Sequence, residues 1–357
     1  MTQFNPRLKD FVPYHSDDDP NALRMHLKES PYDIPGPIKT EALNIVRELD
    51  LNRYPDAGAE ALRQELAAYT GVEPEQTIAG NGSDELLSYL VVAFGHKGVL
   101  TIEPTFAMYR VISQTHGAPF AGVPLDDDFD LDLEGFSHAI EHTAPSLIIL
   151  CSPNNPTGVQ LSTDRIEHLL ADFNGLVVVD EAYWEFAGES LIDLLPTHEN
   201  LILTRTLSKA FGLAALRTGY AIGDLLIIRE LAKIKLPYNL NAVSQAIALA
   251  ALRRRNEVLE SVERILKERN RLTEALHGLK GVEPMPSATN FIPVTVNVSP
   301  TTLVAKLAKQ GVLVRNLDGA IPESIQVTVG TPEQNDHFLT TLRTALKEVR
   351  SCAGKRP

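Results

Sequence analysis

Residues 201–220 read LILTRTLSKAFGLAALRTGY, and this stretch decides the fold. The short apolar run from Leu201 to Leu203 breaks into a polar loop carrying Lys209, and a second run, GYAIG (219–223), follows at once. Toward the N-terminus the same pattern recurs in LVVVDEAY (176–183), SLIILCS (146–152) and GVLTIEP (98–104). Each run is short, β-branched and apolar throughout. That is how parallel strands buried on both faces read, with the amphipathic stretches between them as crossover helices. All five runs, GYAIG included, are expected to be parallel. In open sheets of this class ligands bind beyond the carboxyl ends of the strands, so the polar residues that end the runs are the candidates for chemistry.

Beyond this region, LNAVSQAIALAALR (240–253) and RNEVLESVERILKERNRLTEALHGL (255–279) have helical spacing and lead into a terminal unit. There the strands NFIPVTVNV (290–298), GVLVRNL (311–317) and SIQVTVGT (324–331) alternate with helical patterns, which makes a small α/β domain. The opening residues are rich in Pro and Asp and read as an arm laid over the body. The expected organisation is an arm over 1–35, a large α/β domain over 36–279, and a small domain over 280–357 completed by the arm. A chain of 357 residues suits about two domains at roughly 150 residues each.

Apolar residues make up 44% and charged residues 22%, a globular balance. The net charge of −13 opposes a phosphate backbone, so no nucleic acid partner is expected. No apolar run approaches the roughly 18 residues of a membrane span, and MTQFNPRLKDF lacks an apolar signal core. These features, with only Cys151 and Cys352 and no metal or redox spacing, lead to the expectation of a cytoplasmic protein without membrane partners. Cys151 ends an apolar run and reads as a buried strand thiol rather than a nucleophile.

Four strand-end loops carry the candidate chemistry. Lys209 follows LILTR, with Thr206 and Ser208 beside it and Arg217 eight residues on; alone, such a lysine is usually solvated. Asp180 ends LVVVD, where a carboxylate behind a buried run needs a partner, and a pyridinium nitrogen is one such partner. Tyr183, three residues on, could reach a ring hydroxyl. Asn154 and Asn155 sit in SPNNPTG, which also reads as an ordinary Asn-Pro turn. In GNGSDELL two glycines precede Ser83 and Asp84 at a helix start. The free amides there suit a phosphate, although Ser83 could also act simply as an N-cap. Arg217 and Ser208 could close such a phosphate cup from the other side.

SPNNPTG, VVVDEAY and TLSKAFGLAALRTGY, in this order and spacing, resemble the fold type I aminotransferases, and in particular the histidinol-phosphate aminotransferase group. NRYPDAGAEALR, GNGSDELL and EPTFAMYR extend the resemblance over almost the whole chain. It implies a large domain with a mostly parallel, seven-stranded type of sheet between helices, pyridoxal 5′-phosphate as cofactor, and a homodimer with shared sites. It further implies Lys209 as Schiff-base lysine and proton shuttle, Asp180 on the pyridine nitrogen, Asn155 and Tyr183 on the ring hydroxyl, and Tyr109 stacked on the ring. Ser83, Asp84, Ser208 and Arg217 would hold the phosphate, joined by Tyr54 from a second subunit.

The substrate side is implied less completely. Tyr14, Lys28, Glu29, Arg315 and Gln326 are its candidates, but Lys28 stands where the family usually has Asn, and Gln326 where it usually has Arg. Gln lacks the charge and the bidentate reach of that arginine, so carboxylate recognition departs from the family pattern.

Rival readings follow from the same residues. A specialised lyase, cyclase or decarboxylase would use the same lysine and ring. His138, Glu141 and His142 spell H-x-x-E-H, the inverted zinc-protease motif, but no third ligand is evident and no metal is expected. A dehydrogenase reading fails on GNGSDE, which lacks the third glycine of a dinucleotide fingerprint.

Overall fold

The computed structural model describes residues 9, 11–13 and 19–353. Tyr14 lies outside them, as does the side chain of Cys352.

The central sheet has seven strands. From one edge their order is Thr77–Asn81, Thr218–Gly223, Leu201–Thr206, Leu176–Asp180, Leu147–Cys151, Val99–Glu103 and Phe120–Pro124. Alternation along the strands explains the layers, because successive side chains point to opposite faces. Ile149, Val178, Ile202 and Ala221 enter one apolar cluster with Leu86, Leu87, Leu90 and Val91 of the helix Ser83–Phe94. Ile148, Val177, Val179 and Leu203 enter another with Phe136 of the helix Leu133–Thr143 and Ile166, Leu169 and Leu170 of the helix Thr163–Asp172. Each fully buried Val contributes about 1.5–3 kcal/mol, so this sheet is the rigid frame of the molecule.

Two corrections to the sequence expectations concern this sheet. GYAIG is not parallel: Thr218–Gly223 pairs antiparallel with both Leu201–Thr206 and Thr77–Asn81. The reason is the connector, since residues 207–217 carry no crossover α-helix and a parallel return needs one. The edge strands Thr77–Asn81 and Phe120–Pro124 were also not read from the sequence; the second is only half-buried along much of its length and shows no apolar run. The reversal matters for the site. Thr218 pairs with Asn81, and Gly219 with both Gly80 and Thr206, so Arg217 emerges at the same sheet end as Ser83 and Ser208.

The helices Ala242–Arg253 and Arg255–His277 lead to a second sheet of four antiparallel strands, in the order Arg315–Asn316, Ser324–Thr328, Phe291–Val296 and Val282–Pro284. GVLVRNL divides in two. Val312–Leu313 pairs in parallel with Leu23–Arg24 of the arm, while Arg315–Asn316 joins the four-stranded sheet. Met25 N donates to Leu313 O at 2.8 Å and Thr328 N to Met25 O at 2.8 Å, which fixes the arm against this sheet. Among the described residues no helix is long and apolar enough to cross a membrane.

Candidate active site

A cavity of about 490 Å³ opens at the carboxyl ends of the parallel strands, between them and the arm. Its walls include Lys28, Ser83, Asp84, Phe106, Asn155, Asp180, Tyr183, Ser208, Lys209, Arg217 and Arg315.

Asp180 closes the strand Leu176–Asp180 on the face of Val178, and only 3% of it is exposed. Its Oδ2 accepts from the Tyr109 hydroxyl at 2.8 Å, while its Oδ1 is buried with no hydrogen-bond partner. Burial pushes the carboxyl up to about 6, and donation from Tyr109 opposes the shift. One oxygen is therefore occupied by Tyr109, and the other has no partner at hydrogen-bond distance among the described residues, although Thr204 and the Ala182 backbone also hold the carboxyl down.

Tyr109 itself is fully buried and does not line the cavity, so the expectation that it stacks on a ring is corrected to a clamp on Asp180. Tyr109 lies in the first turn of the helix Met108–Thr115, and the residue three earlier precedes that helix, its carbonyl accepting from Tyr109 N at 3.1 Å. Phe106 is that residue. It stands on the cavity wall with its ring edge-on to Tyr109 at 5.5 Å, and sequence reasoning missed it although EPTF marks an aromatic just beyond a strand end.

Lys209 reaches into the cavity, where its Nζ donates to Leu27 O of the arm at 3.2 Å and lies 6.0 Å from the Tyr183 ring centroid. Desolvation lowers its ammonium to about 8; Glu29 opposes this and Arg217 adds to it. Of the two asparagines, Asn154 is fully buried and holds the turn together, donating to Pro104 O at 2.9 Å and Thr157 Oγ1 at 3.0 Å while accepting from Thr105. Asn155 faces the cavity.

The candidate anion cup is built around a close approach. Gly82 has φ +82° and is the true N-cap of the helix; Ser83 is its first residue, so the N-cap reading of Ser83 is corrected. A Cβ at Gly219 would fall 2.3 Å from Ser83 N, so only glycine lets the strand meet the helix start. Arg217 Nη1 donates to Ser208 Oγ at 3.3 Å and Nη2 to Asp84 Oδ2 at 3.3 Å. The result is a helix N-terminus with an arginine fork and a hydroxyl beside it, which is suited to a phosphate.

The remaining candidates divide. Lys28 and Arg315 line the cavity. Glu29 does not; it pairs with Arg24 at 3.4 Å and lines a separate cleft of about 260 Å³ with Gly330 and Gln334. Gln326 is 1% exposed, donates to Pro156 O at 3.3 Å and is not on the cavity wall. Tyr54 is 80% exposed and stacks on Tyr238 at 4.5 Å, away from this chain's own cavity. Cys151 is buried, and burial pushes its thiol up to about 12. His138 and His142 stack at 4.0 Å on an exposed helix face, and among the described residues no three His, Cys, Asp or Glu side chains are grouped to hold a metal ion.

Comparison with known proteins agrees with this geometry. Residues 29–342 match the family described as Aminotransferase class I and II. The histidinol-phosphate aminotransferase of Caldanaerobacter subterraneus subsp. tengcongensis is 38% identical over 343 residues, covering 95% of this chain and 97% of that protein. That of Pyrococcus furiosus is 37% identical over 340 residues, with the same coverage of each chain. Among solved structures, the histidinol-phosphate aminotransferase from Sinorhizobium meliloti in complex with pyridoxal-5′-phosphate superposes with a TM-score of 0.87 at 26% identity, covering 98% of both chains.

Proposed function

Because this chain belongs to the class I and II aminotransferases, and is therefore a pyridoxal 5′-phosphate-dependent enzyme, we propose that it transfers the amino group of an amino-alcohol phosphate of the histidinol-phosphate type to an oxo acid. The observation that carries this reading is one cavity holding a lysine amine, a strand-end carboxylate with a free buried oxygen, and a helix N-terminus flanked by Arg217.

These residues fit the cofactor. Asp180 Oδ1 has no partner at hydrogen-bond distance, which a ring N–H would supply, and the helix start at Gly82–Ser83 would offer the amides of Ser83 and Asp84 to a phosphate. When bound, pyridoxal 5′-phosphate supplies an electron sink for the bonds at the substrate's Cα. The protein does the rest. With the cofactor bound, Ser83, Asp84, Ser208 and Arg217 would anchor the phosphate, Asn155 and Tyr183 would donate to the ring hydroxyl oxygen, and Phe106 would cover the ring. Asp180 would hold the proton on the ring nitrogen. Lys209 Nζ, whose ammonium burial lowers to about 8, would carry the proton away from Cα and return it.

On this reading the large domain ends near residue 279, and the arm and small sheet shape the substrate side. The enzyme works in the cytoplasm as a homodimer, with the exposed Tyr54 reaching the neighbouring subunit's phosphate site. The test is direct: holoenzyme mixed with histidinol phosphate and 2-oxoglutarate should form glutamate, and the cofactor absorbance should shift with the donor alone. Release of carbon dioxide or an eliminated group, without glutamate, would replace transamination with a lyase reaction.

A further inference from the structure

At the arm end of the cavity the chain places positive charge that no described residue balances with an ion pair. Lys28 and Arg315 both line this end, and among the described residues neither has a carboxylate within ion-pair distance. The nearby carboxylates are engaged elsewhere: Glu29 with Arg24, Asp84 with Arg217, and Asp180 with Tyr109.

Lys28 is also held in an uncommon backbone conformation. Its φ is +57°, in the left-handed region that costs a non-glycine residue about 1 kcal/mol or more. Two hydrogen bonds fix it there, from Lys28 N to Thr328 Oγ1 at 3.0 Å and from Asn290 Nδ2 to Lys28 O at 3.1 Å. The preceding residue is fixed as well, since Leu27 O accepts from Lys209 Nζ. The Lys28 ammonium then lies 5.6 Å from the Phe291 ring centroid, and Phe291 meets Tyr183 edge-on at 5.4 Å. A continuous row of contacts thus runs from Lys28 through Phe291, buried behind the wall, and Tyr183 to Lys209.

We infer that Lys28, together with Arg315, is a specificity-determining anion clamp for the acidic group of the substrate, a phosphate on the amino donor or the distal carboxylate of the oxo acid. This rests on the aminotransferase reading above. Gln326 cannot take the role in this arrangement: it is neutral, sits opposite Arg315 in the strand register, and is buried behind the wall, donating to the carbonyl of the wall residue Pro156. Desolvation, with the charges of Lys209 and Arg315, pushes the Lys28 ammonium down to about 7, so an arriving anion relieves a repulsion already present. Lysine is a flexible point charge rather than a fork, which suits two alternating anions of different shape.

The experiment compares Lys28→Met and Lys28→Arg with the unmodified holoenzyme on substrate pairs that differ only in the acidic group: histidinol phosphate against histidinol, and 2-oxoglutarate against 2-oxopentanoate. Lys28→Met should lower kcat/KM for the anionic member of a pair by about ten- to a hundredfold, mainly through KM, and change the neutral member by less than about threefold. Which pair responds identifies the source of the anion, and Lys28→Arg should recover most of the loss. Equal losses on charged and neutral members, or no loss on either, overturn the clamp. Calorimetric binding of glutarate to the holoenzyme needs no turnover and separates the two claims. If the unmodified protein binds glutarate and Lys28→Met does not, yet no donor is transaminated, the clamp stands and the transaminase reading falls. If glutarate binds both proteins equally, the clamp falls whatever the reaction.

Discussion

The two ends of the cavity are built differently. Near the helix that starts at Ser83, Arg217 is paired with Asp84 and Ser208, and Asp180 with Tyr109, so the charged groups already hold one another in place. At the arm, Lys28 and Arg315 face the same space with no carboxylate partner among the described residues, and the backbone that carries Lys28 is left-handed. The first end stands on the strand ends of the seven-stranded sheet; the second is assembled from the arm, the strand Arg315–Asn316 and the loop that follows it. A preorganised end suits a group that stays, and an electrostatically open end suits groups that come and go.

The sharpest way to break the comparison is at Lys209. If the sheet end is a preformed cofactor site, Lys209→Ala should lower turnover by on the order of 10⁴-fold while the protein stays folded, because it removes the reacting amine and empties no core. Borohydride reduction followed by peptide mass analysis checks it. Cofactor mass on any other residue of the unmodified protein would contradict the assignment.

Asp180→Asn comes next. Loss of the carboxylate that faces the ring nitrogen should cost on the order of 10²- to 10³-fold in kcat, with KM for both substrates little changed. The expected contrast with the arm end is the point: Lys28 variants act through KM. A change in KM alone at Asp180 would erase the distinction between the two ends.

Much of the sheet end was legible in the sequence, and little of the arm end. Asp180, Asn155 and Lys209 each follow a buried apolar run, where a polar group has few structural excuses, whereas the Gly82–Ser83 turn follows the mixed run TIAGN and is marked by its glycines before a helix start. Tyr109 is misread from the sequence because Phe106 and Tyr109 stand three residues apart where the strand-end loop enters a helix, and only the packing decides which ring meets the cavity. GYAIG was read as parallel because its residues look alike in either direction; the connector held the information. In the arm, Lys28 and Glu29 are neighbours with opposite fates, one on the cavity and one paired to Arg24, and that divergence follows from the positive φ of Lys28. Nothing in LKES announces it.

Tyr54 sharpens the comparison by asking whether the preorganised end is complete in one chain. Its ring is exposed and does not reach the cavity of its own chain. If a second copy lends it to the phosphate, Tyr54→Phe removes a charged hydrogen bond worth about 1.5–3 kcal/mol and should weaken cofactor retention by roughly ten- to a hundredfold. Sedimentation at nanomolar concentration should show a dimer; a fully active monomer would remove the shared site.

The smallest expected effect distinguishes the clamp on Asp180 from a ring stack. Tyr109→Phe keeps the aromatic volume and removes only the hydroxyl, so a stacking residue would tolerate it and a clamp would not. Without the donor, Asp180 Oδ2 is buried and unpaired, a cost of about 1–3 kcal/mol that should weaken cofactor binding by around tenfold. The pH dependence gives the sign. The Asp180 carboxyl sits at about 6 because burial raises it and Tyr109 holds it down; removing Tyr109 lets it rise further. Binding that needs the ionised carboxylate is present above that value and lost as pH falls through it. In the unmodified apoprotein, cofactor affinity should therefore decline as pH drops through about 6, and in Tyr109→Phe the decline should begin at higher pH. Fluorescence titration of the apoprotein with pyridoxal 5′-phosphate across this range measures both. An unchanged acid limb with unchanged affinity would return Tyr109 to the role of a packing residue and leave Asp180 to be held by burial alone.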